Sequence, residues 1–182
     1  MSSLQKFHRR TMSLAPAIKA IGSEAPVAGS GWYLGMAGDG TSYMYVAPKS
    51  TEVQKAWGSY GSPRGALSTT NGLANTNTLY AFGSVAHPAA YYAKSLTTGG
   101  YNTWYLPAKN ELNTMYSNKS ATPFVTNNAF VGSNYWTSTE YSGQYAGQFA
   151  ISQNLNDGGL YNTAKAKNIG TNYVRATRMA TV

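Results

Sequence analysis

The sequence predicts an α+β domain with two helices and a small antiparallel β-sheet. Three observations lead to this fold class. Two segments in the middle of the chain carry apolar residues at helical spacing, five or six short segments of β-type composition flank them, and glycine-containing turn signals punctuate the sequence. Helices that are grouped together, rather than alternating with every strand, are typical of an α+β arrangement.

Each predicted helix begins at a proline. Proline is favoured at the first helical position because the N–H that it lacks would have no partner there. Pro88 and Pro107 therefore mark the two starts, and Gly99–Gly100 ends the first helix. The apolar stripes are Ala89, Tyr92, Ala93 and Leu96 in the first helix, and Ala108, Leu112, Met115 and Tyr116 in the second.

The predicted strands are separated by short turn sequences. Residues 31–37 and 43–47 flank Gly38–Gly40, a pattern typical of a β-hairpin, and Asn156–Gly159 is a second hairpin turn. The other predicted strands are residues 135–139, 145–151, 160–164 and 173–179. The Gly-, Ser-, Thr- and Asn-rich residues 57–77 predict a long ordered loop.

Composition excludes several classes of protein. The chain has 182 residues and no cysteine, which excludes a disulfide scaffold, a thiolate zinc site and a cysteine nucleophile. Only 11% of the residues are charged, against about 25% in an average soluble domain. With 15 tyrosines and 42% hydrophobic residues, the chain is expected to fold and to cover its surface with neutral polar groups.

The chain divides into two zones of different composition. Residues 1–27 contain four basic side chains, one acidic side chain and no asparagine, and we expect them to form an extended N-terminal arm or anchor. All 15 asparagines lie between Asn71 and Asn172, within a predicted domain of residues 28–182. No apolar run approaches the roughly 18–20 residues of a membrane span, and the start of the chain makes a poor secretory signal.

The net charge of +8 invites a nucleic-acid hypothesis. The basic residues are spread out, however, and the densest run is only His8–Arg10. The sequence contains no recognition helix and no RNA-binding aromatic signature, so nucleic acid is not the expected partner. Arg175 and Arg178 would lie on opposite faces of a strand. We expect one to be half-buried beside a carboxylate and the other to join Lys165 and Lys167 in a basic zone.

Three motifs in a fixed order are the most specific part of the sequence. They are Gly99-Gly-Tyr-Asn-Thr-Trp-Tyr-Leu-Pro-Ala-Lys-Asn-Glu-Leu112, Tyr135-Trp-Thr-Ser-Thr-Glu140 and Val174-Arg-Ala-Thr-Arg178, preceded by Ala56-Trp-Gly58 and Gly72-Leu-Ala-Asn-Thr76. From about residue 28 to 180, the chain resembles a domain-of-unknown-function family of bacterial and phage surface proteins. That family includes the C-terminal domain of a bacterial collagen-like adhesin.

The resemblance implies a C-type-lectin-like fold that binds glycans or proteins and is not known to catalyse a reaction. From the residues themselves, Trp104, Leu106 and Leu112 are expected to lie in the core. Glu111 is expected to face solvent or to be paired, and Glu140 to hydrogen-bond loop backbone.

The residues give little support to catalysis or metal binding. His87 precedes a predicted helix start and is expected to cap that helix rather than to act as a base. The acidic residues are scattered along the chain, with no close pair of the kind that glycoside hydrolysis would suggest. We therefore expect no enzyme activity, no cofactor, no metal ion and calcium-independent binding.

Two loop segments are the candidate ligand-binding sites. Residues 140–148 combine tyrosine with Ser, Gly and Gln, as antibody loops do, because tyrosine gives large contact area at low entropic cost. The second patch surrounds the predicted turn after residue 153. The candidate ligand-binding residues are Tyr141, Gln144, Tyr145, Asn154, Asn156, Tyr161 and Asn162. The alternative is that these are ordinary loops or contacts to neighbouring subunits.

The leading functional hypothesis is a non-enzymatic phage virion surface protein. Residues 1–27 would contact other virion subunits, and the lectin-like domain, as part of a homo-oligomer, would attach to a host-surface glycan or protein receptor. One alternative is a purely structural virion decoration, adaptor or fibre protein. A further alternative is a secreted bacterial adhesin module, which would be extracellular or on the bacterial surface.

Overall fold

The computed structural model describes residues 19–182, with the strand Leu160–Ala166 described by its backbone. Residues 1–18, which form most of the predicted arm, lie outside the described residues. The remainder of the arm lies along the edge of the domain. Gly22 N donates to Tyr33 O (2.7 Å), Tyr33 N donates to Ser23 O (2.9 Å), and Ala25 N donates to Gly31 O (2.8 Å). Residues 22–25 therefore add a short extended segment beside the first strand of the domain.

The described residues form eight strands in two sheets. The strands are β1 (Trp32–Met36), β2 (Ser42–Val46), β3 (Val53–Gln54), β4 (Asn134–Glu140), β5 (Phe149–Asn154), β6 (Leu160–Ala166), β7 (Tyr173–Val174) and β8 (Thr177–Thr181). One sheet has the order β1-β2-β8 and the other the order β3-β7-β4-β5-β6. The prediction of one antiparallel sheet is wrong, since there are two sheets and β4 pairs with β7 in parallel.

Five α-helices accompany these strands, so the α+β class is confirmed and the count of two helices is wrong. They are α1 (Gly72–Tyr80), α2 (Gly83–Ala86), α3 (Pro88–Ser95), α4 (Lys109–Ser117) and α5 (Phe124–Asn128). The predicted helices correspond to α3 and α4. Most of α1 falls within residues 57–77, which the sequence predicts to be a loop. That prediction is wrong for α1 because its Asn and Thr residues are typical of turns. Asn71 caps it by accepting from Ala74 N at 2.9 Å.

Both predicted hairpins are confirmed. In the first, Trp32 pairs with Val46 and Met36 with Tyr43. The second joins β5 to β6. The predicted strand 173–179 is instead divided between the two sheets, as β7 and β8, so the chain passes from one sheet to the other at Arg175 and Ala176.

The interior is built around three tryptophans. Trp57, Trp104 and Trp136 are each fully buried, and they belong to one cluster with Leu79 and Leu106. A second cluster packs α4 against β1 and β2. The predicted core residues of the longest motif are therefore confirmed. In the described part of the chain, the helices are too short or too polar to span a bilayer.

Arg175, at the crossing between the sheets, is held by hydrogen bonds to three buried or partly buried groups. Its guanidinium donates to Glu52 Oε2 (2.6 Å), Ala47 O (2.7 Å) and Asn128 O (3.0 Å). Tyr135 OH donates to the same carboxylate oxygen at 2.7 Å. An arginine beside a carboxylate is thus confirmed, although Arg175 is fully buried. The pair joins the end of β2, α5 and β4.

Arg178 lies on β8 and is also buried, with 3% of its surface exposed. Its Nε donates to Ser30 O at 2.8 Å. The guanidinium carbon lies 3.9 Å from the ring centroid of Tyr101, 4.4 Å from that of Tyr45 and 5.6 Å from that of Trp104. The expectation that this arginine joins an exposed basic zone is wrong, because cation–π contacts hold it inside the domain.

Glu111 on α4 is a buried carboxylate with four neutral donors. It accepts from Gly38 N (3.3 Å), Gly72 N (3.2 Å), Ala108 N (2.8 Å) and Tyr105 OH (2.9 Å). Of the two expectations for Glu111, exposure to solvent is wrong, and its hydrogen-bond partners are neutral groups. Burial raises the pKa of its carboxyl, while the hydrogen bonds oppose that rise. This side chain joins the first hairpin turn to the starts of α1 and α4.

Glu111→Gln is expected to lower the free energy of unfolding by about 2–4 kcal/mol. The amide turns an NH₂ group toward backbone donors that now bond a carboxylate oxygen, which leaves buried N–H groups unpaired. Urea denaturation followed by tryptophan fluorescence measures the loss. Glu24→Gln is the matched control, since Glu24 is exposed. Equal stability of the two variants would contradict the assigned role of Glu111.

Candidate functional site

Three connecting segments, called loops below, meet at one end of β5. They comprise residues 58–67, residues 81–87, which include the short helix α2, and residues 141–148. Gly61 N donates to Gly147 O at 3.0 Å, and Ser59 N donates to Ala86 O at 2.8 Å. Backbone hydrogen bonds therefore fix the first loop to each of the other two.

These loops and the start of β5 present a group of aromatic rings. Tyr60, Phe82 and Tyr145 are 53%, 48% and 49% exposed. Phe149 lies between two tyrosines, with ring centroids 6.5 Å from Tyr141 and 5.8 Å from Tyr145. Hereafter the aromatic surface denotes Tyr60, Phe82, Tyr141, Tyr145 and Phe149.

Polar groups accompany the rings. Tyr60 OH donates to Gln148 Oε1 at 2.7 Å, which leaves the amide nitrogen of Gln148 beside the surface. Gln144 is exposed on the third loop. The guanidinium carbon of Arg64 lies 4.4 Å from the ring centroid of Phe82, which joins the first two loops. The surface thus combines flat apolar rings with amide and guanidinium donors.

A buried ion pair between Glu140 and Lys167 lies beneath the aromatic surface. The Glu140 carboxylate also accepts from Arg64 N (2.8 Å) and Gly65 N (2.8 Å). Lys167 Nζ donates to Ser62 O at 3.1 Å. The expectation that Glu140 hydrogen-bonds loop backbone is confirmed. The expectation that Lys167 lies in an exposed basic zone is wrong, because it neutralises this carboxylate in the interior.

Trp57 and His87 complete the base of the site. Lys167 Nζ lies 4.8 Å from the Trp57 ring centroid, and Trp57 Nε1 donates to Thr137 O at 2.7 Å. The His87 ring packs edge-on against Trp57, with centroids 5.2 Å apart. A Cβ on Gly58 would lie 2.2 Å from His87 Nδ1, so only glycine permits this approach.

His87 is fully buried, and neither ring nitrogen has a hydrogen-bond partner. It is the N-cap residue of α3, as predicted, but its side chain makes no capping hydrogen bond. Burial, together with the positive charges of Arg64 and Lys167, lowers its pKa to about 4. Because the ring is inaccessible, His87 cannot touch a ligand as a general base.

The family model of the Lcl C-terminal domain matches residues 39–178 of the 182. The chain belongs to the Lcl C-terminal domain family. The family resemblance inferred from the motifs is thereby confirmed. The matched range of this Lcl C-terminal domain includes all three loops, the aromatic surface and the Glu140–Lys167 pair. No curated protein matches the chain.

The seven predicted ligand-binding residues of this Lcl C-terminal domain are not brought together. Tyr141, Gln144 and Tyr145 belong to the loop that precedes β5, whereas Asn154 and Asn156 lie at the far end of that strand. At about 3.3 Å per residue, the six-residue strand separates the two patches by roughly 17 Å. Tyr161 and Asn162 lie on β6, where the backbone of Tyr161 pairs with Ser152.

The polar groups of the patch at the far end of β5 mainly form hydrogen bonds within the turn itself or with Lys119. Asn154 Oδ1 accepts from Asn156 N at 2.8 Å, so this side chain stabilises the turn. Lys119 Nζ donates to Asn156 O at 3.1 Å. Asn156, Lys119 and Phe130 line a cavity of about 250 Å³. This cavity is small, and fewer aromatic rings border it than border the aromatic surface.

Sequence reasoning missed Tyr60, Arg64 and Phe82 as members of the site. A signal for the first was present, since Tyr60-Gly-Ser-Pro63 has the same Tyr, Gly and Ser composition as residues 141–148. Phe82, in the turn after α1, carried no such signal. Within residues 19–182, no group of three or more His, Asp or Glu side chains is placed to hold a metal ion. The arrangement is suited to binding by stacking and hydrogen bonding.

Lys167→Met is expected to lower the free energy of unfolding by about 3–5 kcal/mol, because it leaves the Glu140 carboxylate buried without its cation. Adding Glu140→Gln to this variant removes the uncompensated charge and is expected to restore part of the loss. Chemical denaturation of the two variants and the double variant measures the coupling. Lys55→Met is the matched control, because Lys55 is exposed. Additive effects of the two substitutions would contradict a coupled pair.

Proposed function

We propose that the chain is a non-enzymatic surface-attachment domain and that the aromatic surface binds a host-surface glycan. The observation that carries this proposal is the display of three exposed rings, from Tyr60, Phe82 and Tyr145, by three loops with a common buried base. Membership of the Lcl C-terminal domain family supports a role as a surface or adhesin-like domain.

The chemistry of the surface suits a saccharide. Aromatic faces stack on the apolar faces of sugar rings, while amides such as those of Gln144 and Gln148 can bond hydroxyl groups. The loops are fixed before binding by backbone hydrogen bonds and by the Glu140–Lys167 pair. Binding to fixed loops loses less conformational entropy than binding to loops that must first be ordered.

The biological setting is part of the proposal. We place the domain on a phage virion, with a C-type-lectin-like fold, homo-oligomeric assembly and residues 1–27 in contact with other virion subunits. The motif resemblance to a family of bacterial and phage surface proteins supports this setting. A secreted bacterial adhesin module is the other setting that the resemblance allows, and a mature N-terminus produced by cleavage within residues 1–30 would favour it.

A structural role is the second candidate function, and one observation favours it. Val85, on α2, is 95% exposed, and Leu67, in the first loop, is 50% exposed, so both belong to the segments that carry the aromatic surface. Aliphatic side chains contribute less to sugar binding than to protein contacts, and exposed apolar residues grouped together mark protein interfaces. In this alternative the loops contact neighbouring virion subunits rather than a host receptor.

Tyr60→Ala and Tyr145→Ala are each expected to weaken binding to host cells and to the glycans found on an array by about tenfold or more. Aromatic residues at the centre of a binding site commonly account for about 2 kcal/mol each. Tyr145→Phe retains the ring and is expected to bind nearly as well as the unmodified chain. Asn156→Ala, at the opposite end of β5, is the matched control.

Three results would overturn this proposal. Loss of binding in Asn156→Ala alone would move the site to the far end of β5. Unchanged binding in both alanine variants would exclude the aromatic surface. Burial of Val85 and Tyr145 between subunits of an assembled particle, mapped by cross-linking, would favour the structural role.

A further inference from the structure

We propose that His87 is an acid-sensing lock beneath the aromatic surface. In this proposal, protonation of its imidazole releases the loops of residues 58–65 and 81–86 and so weakens ligand binding. The regulatory part of this inference rests on the proposed function, whereas the release of the loops does not. The His87 imidazole is buried between two loops of the site, and neither ring nitrogen has a well-formed hydrogen bond.

The contacts of His87 connect it directly to the aromatic surface. Its ring lies edge-on to Trp57 and to Phe82, with centroids 5.2 and 5.8 Å away. Gly58 approaches it more closely than any residue with a side chain could. Tyr60 follows two residues after Gly58, so a movement of the imidazole displaces parts of the surface on two different loops.

The surroundings accept a neutral imidazole and oppose an imidazolium. Three charged groups face His87: the cations Arg64 and Lys167 and the carboxylate of Glu140. That carboxylate already accepts from Lys167 and from two backbone N–H groups. The other ring neighbours, Trp57 and Phe82, carry no charge. The backbone of Trp57 favours the protonated ring, but burial and the two cations outweigh it.

The position of His87 in the fold also opposes protonation of its imidazole. It is the N-cap residue of α3, and the positive end of a helix dipole disfavours a cation there. In water, an imidazolium is solvated and its two N–H groups are bonded. Protonation therefore favours a conformation in which the two loops separate and the ring reaches solvent.

The size and sign of the effect follow from linkage. The pKa of His87 is about 4 when the loops are closed, against 6.5 for an exposed imidazole. The open form binds a proton more tightly, so the closed form loses stability as the pH falls below 6.5. Between pH 7.5 and pH 5, the ratio of open to closed loops is expected to rise about 30-fold.

Hydrogen exchange of the free, full-length chain tests the lock without any ligand. The amides of Arg64 and Gly65, which bond Glu140, are expected to lose protection factors by about 30-fold between pH 7.5 and pH 5. The amide of Leu112, on α4, is expected to keep its protection. An equal fall at all three amides would indicate global unfolding and would overturn the lock, and so would constant protection at all three.

The two histidines of the chain supply a matched pair of variants. His87→Leu removes the titrating group and is expected to abolish the pH response of the Arg64 and Gly65 amides. His8→Gln is expected to leave that response unchanged. If His87→Leu does not fold, the nitrogen NMR signals of His87 in the His8→Gln chain give the answer: a neutral ring at pH 5.5 supports the lock, and a protonated ring contradicts it.

Binding measured at both pH values separates this inference from the proposed function. If the amides respond and binding to host cells is weaker at pH 5 in the unmodified chain but not in His87→Leu, both are supported. If the amides respond and no binding occurs at either pH, the proposed function fails and the release of the loops stands. If binding is strong and the amides do not respond, the lock fails and the proposed function stands.

Discussion

Three buried carboxylates hold the described part of the domain together. Glu52 accepts hydrogen bonds from Arg175 and Tyr135, and Glu111 accepts from four neutral donors. Glu140 accepts from Lys167 and from two backbone N–H groups. A buried carboxylate is costly unless its oxygens are fully bonded, so each one requires several segments of the chain to be in place at once. Each carboxylate consequently fixes a junction between segments that are distant in sequence, and the loops of the aromatic surface depend on the third junction.

This use of carboxylates explains how the segment from residue 58 to 71 keeps a defined course without regular secondary structure. A buried backbone N–H needs a partner, and helices and strands ordinarily supply it. Here Glu140 accepts from Arg64 and Gly65, while Glu111 accepts from Gly72 at the start of α1. The loop is therefore held at its middle, and again where it joins α1, by side chains of other elements. Aromatic residues on such a loop keep their relative positions before a ligand arrives, which lowers the entropic cost of recognition.

Local patterns predicted the parts of the fold that depend on local interactions. The two hairpins, α3, α4 and the buried tryptophan of the longest motif follow from turn residues, proline positions and apolar spacing. Tertiary contacts decided the rest. No residue near Arg178 in the sequence indicates that its guanidinium packs against the rings of Tyr45 and Tyr101. Glu140 accepts a hydrogen bond from Arg64, which is 76 residues away along the chain. For the same reason, the composition of residues 141–148 indicated one loop of the aromatic surface, but not the partners of that loop.

The buried charges leave the net charge of +8 to the remaining side chains. Lys167 and Arg175 are neutralised by carboxylates inside the domain, and Arg178 is enclosed by aromatic rings, so these three cations do not contribute to an exposed basic field. The carboxylates of Glu52, Glu111 and Glu140 are buried with them, so the burial of three charges of each sign leaves the balance at +8. Recognition at the aromatic surface depends mainly on ring stacking and directed hydrogen bonds, which salt screens weakly. Buried charge can still affect the aromatic surface, because the imidazole of His87 lies beside Arg64 and Lys167, two of the cations that hold the loops in place.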